Sequence, residues 1–95
     1  MANSILQKDR YCYLCGKQGI LHKHHCLTGI RRETAEEEGL WVWLCPSCHT
    51  GSNAIHGNGE LLIRLKEKAQ REWLYLHDGD MKRWMLLFGK NYLTV

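Results

Sequence analysis

Long apolar runs are missing from this sequence. No stretch approaches the roughly eighteen residues that a membrane span needs, so no membrane partner is expected. The segment Met1 to Arg10 likewise lacks an apolar run and a small-residue cleavage site, and the protein is expected to stay where it is made. Proline is almost absent, with Pro46 alone. Together with 44% hydrophobic and 24% charged residues, that scarcity excludes a disordered tail or low-complexity linker as the dominant state. Neither sign of charge dominates: 13 Lys and Arg against 10 Asp and Glu give +3, a mild excess that permits nucleic acid without requiring it. There is no internal repeat. A chain of 95 residues buries only about two-thirds of its unfolded surface, so residues 1–95 are expected to form one domain that gains from a staple.

What is present divides into a Cys/His-rich, glycine-punctuated half, 1–57, and a helical half, 58–95. Gly16 and Gly19 bracket a turn, and Ile20 to Leu27 reads as a short strand entering a hairpin-like element. Thr28 to Gly39, with Gly29, a basic pair and an acidic run, reads as a long solvated loop. Leu40 to Leu44 is a short β-branched and aromatic run that favours a buried strand, and Pro46 suits the first turn of a helix directly after it. Asn58 can cap a helix over Glu60 to His77 that places Leu62, Leu65, Ala69, Trp73 and Leu76 on one face. Asp80 can cap a second, with Met81, Trp84, Met85 and Phe88 inward and Gly89 ending it. The tryptophans of this half also offer a face for a homodimer.

Five cysteines, an odd number with no secretory signal, point to thiolates in a reducing cytoplasm rather than to disulfides. Cys12-x-x-Cys15-Gly16 and Cys45-x-x-Cys48 are two bites of the span that tetrahedral zinc takes between sulfurs. A glycine after the first bite lets backbone N–H groups turn towards the thiolates, and a helix start at the second favours thiolate charge. Four thiolates leave no open position for water, so this Zn2+ is expected to be structural. A redox disulfide at one pair and the absence of any metal are the competing readings. Cys26, outside both bites, reads as a small buried hydrophobe.

Six histidines are many for this length, and His22, His24, His25, His49 and His56 all fall in the first half. His24 and His25 face opposite sides of a strand, and His49 adjoins Cys48 at the helix start. His22 and His77 read as ordinary surface or packing residues.

The ordered set Cys-x-x-Cys, His24-His25, Arg31-Arg32, Gly39-Leu-Trp-Val-Trp-Leu44, Cys45-x-x-Cys48-His49 and Ile55-His56-Gly57-Asn58 resembles the HNH (His-Me finger) endonuclease superfamily. It is especially similar to small phage-type HNH proteins that end, as here, in a segment like Phe88-Gly89-Lys90-Asn91-Tyr92-Leu93. The resemblance implies a small α+β zinc-stabilised domain, a treble-clef-like ββα-metal finger followed by two C-terminal helices. It also implies hydrolysis of DNA phosphodiester bonds with one catalytic divalent cation, which can be Mg, Mn, Ni, Co or Zn. By position His25 resembles the general base, and His24 and His49 resemble ligands of that cation. His56, seven residues beyond His49, would be the final ligand. An asparagine that aims the base histidine is expected at the start of the second strand, where residues 39 and 40 are Gly and Leu. Asn53 or Asn58 substitutes, the backbone manages alone, or activity is reduced.

Arg31 and Arg32 are candidates to clamp a flanking phosphate, with Lys17, Lys23 and Arg64 behind them. The leading expectation is therefore an endonuclease or nickase in the cytoplasm of a bacterial or phage-infected cell. DNA and phage packaging or recombination proteins would be its partners. A non-catalytic treble-clef zinc module that binds nucleic acid or protein is the alternative, and a redox-sensing zinc protein a third.

Overall fold

The computed structural model describes residues 3–51 and 55–93, and of His56 the backbone alone. Strand β1, His22–His25, pairs antiparallel with β2, Trp41–Leu44, setting His22 opposite Leu44, Lys23 opposite Trp43, His24 opposite Val42 and His25 opposite Trp41. Alternation along β1 sends His22 and His24 to one face and Lys23 and His25 to the other. In β2, Trp41, Val42 and Leu44 are buried, as its apolar run requires. The outer edge of β2 is covered rather than left open. Ser4 Oγ donates to Trp41 O, and the Trp43 N–H donates to Gln7 Oε1 at 2.7 Å. Ile5 N donates to Gly39 O at 2.9 Å.

Residues 28–39 are not the solvated loop that their composition suggests. A 3-10 turn at Gly29–Arg31 runs into helix α1, Arg32–Glu37. Ala35 is fully buried, its carbonyl takes the Leu40 N–H at 2.8 Å, and Glu38 Oε1 accepts from Trp73 Nε1 at 2.8 Å. Alanine and glutamate favour helix, yet a single inward residue produces no apolar period.

Cys45 precedes α2, Pro46–Thr50, whose first residue is the proline. Helix α3, Gly59–Leu76, begins at Asn58, whose Oδ1 accepts from Leu61 N at 3.1 Å. Leu65, Ala69 and Trp73 are buried and Leu62 is half-buried, but Leu76 is exposed. Gln70 joins the buried face instead. It takes the Tyr92 N–H on Oε1 at 2.7 Å and donates from Nε2 to Asn91 Oδ1 at 2.8 Å, tying the final segment down. Helix α4, Met81–Phe88, is capped by Asp80, which accepts from Arg83 N at 3.0 Å, and ends at Gly89. Trp84 and Phe88 point inward while Met85 is largely exposed. Trp73 meets Trp84 edge-on at 5.5 Å, and both are sealed in the core, so neither forms an outer face. One buried cluster joins Leu27, Leu40, Val42, Leu44 and Ile55 to Leu65, Trp73, Trp84 and Phe88, so the helices brace the cysteine-bearing half. No helix among the described residues is long and apolar enough to cross a membrane.

Candidate metal centre and histidine cavity

The first cysteine pair lies on a tight turn. The Gly16 N–H returns to Cys12 O and the Cys12 N–H to Lys17 O, each at 2.8 Å, and Gly16 takes φ +79°, the left-handed region where a side chain would be strained. The second pair comes from the β2–α2 junction, with Cys45 at the helix cap and Cys48 within the first turn. All four Sγ atoms lie within 4.8 Å of one another, and Cys15 Sγ is 3.7 Å from Cys45 Sγ. Sulfurs at about 2.3 Å from a tetrahedral zinc stand about 3.8 Å apart, so the cluster can hold a metal ion such as zinc.

The thiols do not share one acidity. Burial pushes Cys12 up, but N–H groups of Cys45, Cys15 and Leu14 outweigh it and bring the thiol down to about 6. Burial, then the neighbouring Cys45, Cys12 and Cys15 side chains, push Cys48 up to about 12. A cation held there would resolve the conflict by keeping all four as thiolates. Cys26 stays outside the cluster, 2% exposed, with its thiol pushed up by burial.

Three of the histidines, His22, His24 and His49, gather beside one another. His49 lies edge-on to His24, ring centres 5.6 Å apart, and to His22, at 5.3 Å, with the two Nδ1 atoms of His22 and His49 separated by 3.2 Å. Nδ1 atoms 3.2 Å apart are at hydrogen-bond distance, so one of these two rings donates to the other. The imidazoles are nonetheless gathered less tightly than the sulfurs, which form the one compact donor group among the described residues. The side chain of His56 lies outside the described residues, as does Asn53.

His25, on the opposite face of β1, is half-buried and held by α1. Its Nε2 is 2.8 Å from Glu36 Oε1, and Arg32 Nε donates to its Nδ1 at 3.4 Å. Lys23 Nζ donates to Glu36 Oε2 at 3.0 Å and lies 4.2 Å above the Trp41 ring. The hydrogen bond from His25, then the Lys23 ammonium, hold the Glu36 carboxyl below its usual range. His24, His25, His49, Lys23 and Arg32 all line one cavity of ≈ 330 Å³, with Thr28 and Gly29 completing its wall.

The two adjacent arginines part company. Arg31 turns to α4, where its Nη1 donates to Leu87 O at 3.1 Å, and it does not line the cavity; Arg32 does. Of the further cations, Arg64 pairs with Glu60 on exposed helix surface and Lys17 is exposed away from the cavity. Asn58 is engaged as the α3 cap. Neither residue 39 nor 40 can supply the missing amide, because Leu40 is fully buried and a Cβ at Gly39, φ +75°, would run into the Asn3 carbonyl.

Two contributors were not anticipated from sequence. His22 shares a strand face with His24, a period-2 relation visible in His22-x-His24. Glu36 is one of three consecutive glutamates, and only the fold singles it out. Comparison with protein-family models, with curated proteins and with solved structures yields no match for this chain.

Proposed function

We propose that this protein is a metal-dependent HNH-type endonuclease or nickase acting on DNA, built on a structural zinc ion at Cys12, Cys15, Cys45 and Cys48. The observation that carries the reading is the cavity in which His24, His25, His49 and Arg32 meet. The knuckle, the β1–β2 pair and α2 follow the order of a treble-clef-like ββα-metal finger, with α1 inserted between the strands and α3 and α4 behind.

On this reading His25 takes a proton from the attacking water. Arg32 binds a phosphate oxygen beside the scissile bond through a charge-assisted hydrogen bond. His24 and His49 hold a divalent cation, one of Mg, Mn, Ni, Co or Zn, with His56 as the final ligand; when bound, such a cation stabilises charge on the phosphate and leaving oxygen. Contacts of this kind read backbone more than base, so weak sequence selectivity is expected, in keeping with a role in phage DNA processing, packaging or recombination.

The second reading, a non-catalytic zinc module that binds nucleic acid or protein, is favoured by the absence of an amide side chain at residues 39 and 40. Incubating supercoiled plasmid with purified protein across divalent metals separates the two. Nicking that is lost in His25→Ala, and that needs more added metal in His49→Ala, supports the nuclease. No cleavage of DNA or RNA with any common divalent ion leaves the binding module.

A further inference from the structure

Resting on the nuclease reading, we infer that Glu36 is the positioning residue for His25, taking over from α1 the task of the missing asparagine. An ionised carboxylate can only accept, so the 2.8 Å contact requires the proton on His25 Nε2. Arg32 can only donate, so its approach to Nδ1 requires a lone pair there. Two independent partners thus select the same tautomer, Nε2–H with a bare Nδ1, in a ring that lines the cavity. At 3.4 Å the Arg32 contact is long and readily exchanged. A substrate phosphate that draws the guanidinium to itself leaves Nδ1 to the water. The proton passes from water to Nδ1, and the imidazolium so formed keeps its Nε2–H on the Glu36 carboxylate.

Glu36 is itself fixed. Lys23 Nζ reaches both of its oxygens, at 3.2 and 3.0 Å, and Lys23 and His25 share one face of β1, so strand and helix present an ammonium, a carboxylate and an imidazole in sequence. The lowered pKa of Glu36, held down first by the hydrogen bond from His25, agrees with a carboxylate that is ionised whenever His25 needs it. Among the described residues the other sources of a bracing amide do not serve: Asn58 caps α3, and residues 39 and 40 have no room for one.

The test combines a substrate-free measurement with a kinetic one on zinc-loaded full chain. At mildly alkaline pH, where imidazoles are neutral, 15N spectra of His25 report the tautomer. The wild type and Glu36→Gln, whose amide oxygen still accepts, are expected to show Nε2–H, and Glu36→Ala a mixture. In plasmid nicking Glu36→Ala is expected to lose about tenfold to a hundredfold in kcat, as supporting partners of reactive groups do, with KM for DNA unchanged and partial rescue in Glu36→Gln. Zinc content and helical signal should match the wild type in both variants. An Nδ1–H tautomer in the wild type, or a kcat in Glu36→Ala equal to the wild type, overturns the assignment. Absence of nicking by the wild type with every cation overturns the nuclease reading and the positioning role with it. In that event the 15N spectra still show whether the Glu36–His25 contact exists.

Discussion

Removing sulfur from the cysteine cluster should unfold the domain rather than merely loosen a loop. A 95-residue chain has about 5–14 kcal/mol of stability in total, and structural zinc in small domains contributes on the order of 10–16 kcal/mol of binding free energy. The two quantities are of one size, and an ion held by the four sulfurs would join the Cys12–Cys15 turn to the β2–α2 junction, with Cys12 and Cys45 both in the buried cluster. Cys48→Ser alone should cost several kcal/mol, on the order of half the total. Cys12→Ser with Cys48→Ser should leave no cooperative transition. The assay is urea unfolding followed by tryptophan fluorescence, which samples Trp41 and Trp43 on β2 and Trp73 and Trp84 in the helices, with zinc measured on the same samples. Free zinc at a thousandfold its Kd should raise stability by about 4.1 kcal/mol over the chelated protein. The sign with pH follows from Cys48. Its thiol is protonated at neutral pH until the ion displaces the proton, so apparent zinc affinity should fall at least about tenfold per unit of acidification. A double variant that unfolds at the wild-type urea concentration, or a wild type without metal, would refute the reasoning.

Gly39→Ala should lose about 2–4 kcal/mol in the same assay, since it combines a left-handed backbone with a Cβ pressed against the Asn3 carbonyl; an unchanged midpoint would contradict the close approach. Gln70→Leu should lose about 1–3 kcal/mol by leaving the Tyr92 N–H unpaired and taking one of its two donors from Asn91 Oδ1, and the closing segment should exchange its amide hydrogens faster. Glu36 has a lowered pKa in the fold, so the stability it adds is present above the ordinary carboxylate value of 4.5 and is lost as pH falls through the lowered one. The stability difference between wild type and Glu36→Gln should accordingly shrink in acid, and a difference that grows would reverse the assignment of its partner.

The features legible in sequence are those written in local patterns. The two cysteine bites, the proline that starts α2, the Asn58 and Asp80 caps and the inward stripe of Leu65, Ala69 and Trp73 each depend on neighbours within a turn or two. Helix α1 was not legible, because Ala35 alone is buried, and Glu36 and the following Glu38 look like solvated surface until Lys23, His25 and Trp73 are brought to them from outside the segment. Gln70 was hidden for the same reason, since its partners lie in the final segment, some twenty positions on. The histidines were legible as a group but not as a geometry. Register sets His22 beside His49, and the start of α1 sends Arg31 to α4 while Arg32 faces the cavity.

The most direct test of the nuclease reading is the nicking of supercoiled plasmid by wild type and His25→Ala, both zinc-loaded, over a series of added Mg, Mn, Ni, Co and Zn. The account predicts cation-dependent nicking by the wild type. His25→Ala should be slower by about two to four powers of ten at unchanged zinc content and helical signal, because the base touches water rather than the scaffold. Equal rates in the two proteins would contradict the assignment of the base, and no cleavage by the wild type with any of these ions would contradict the nuclease itself.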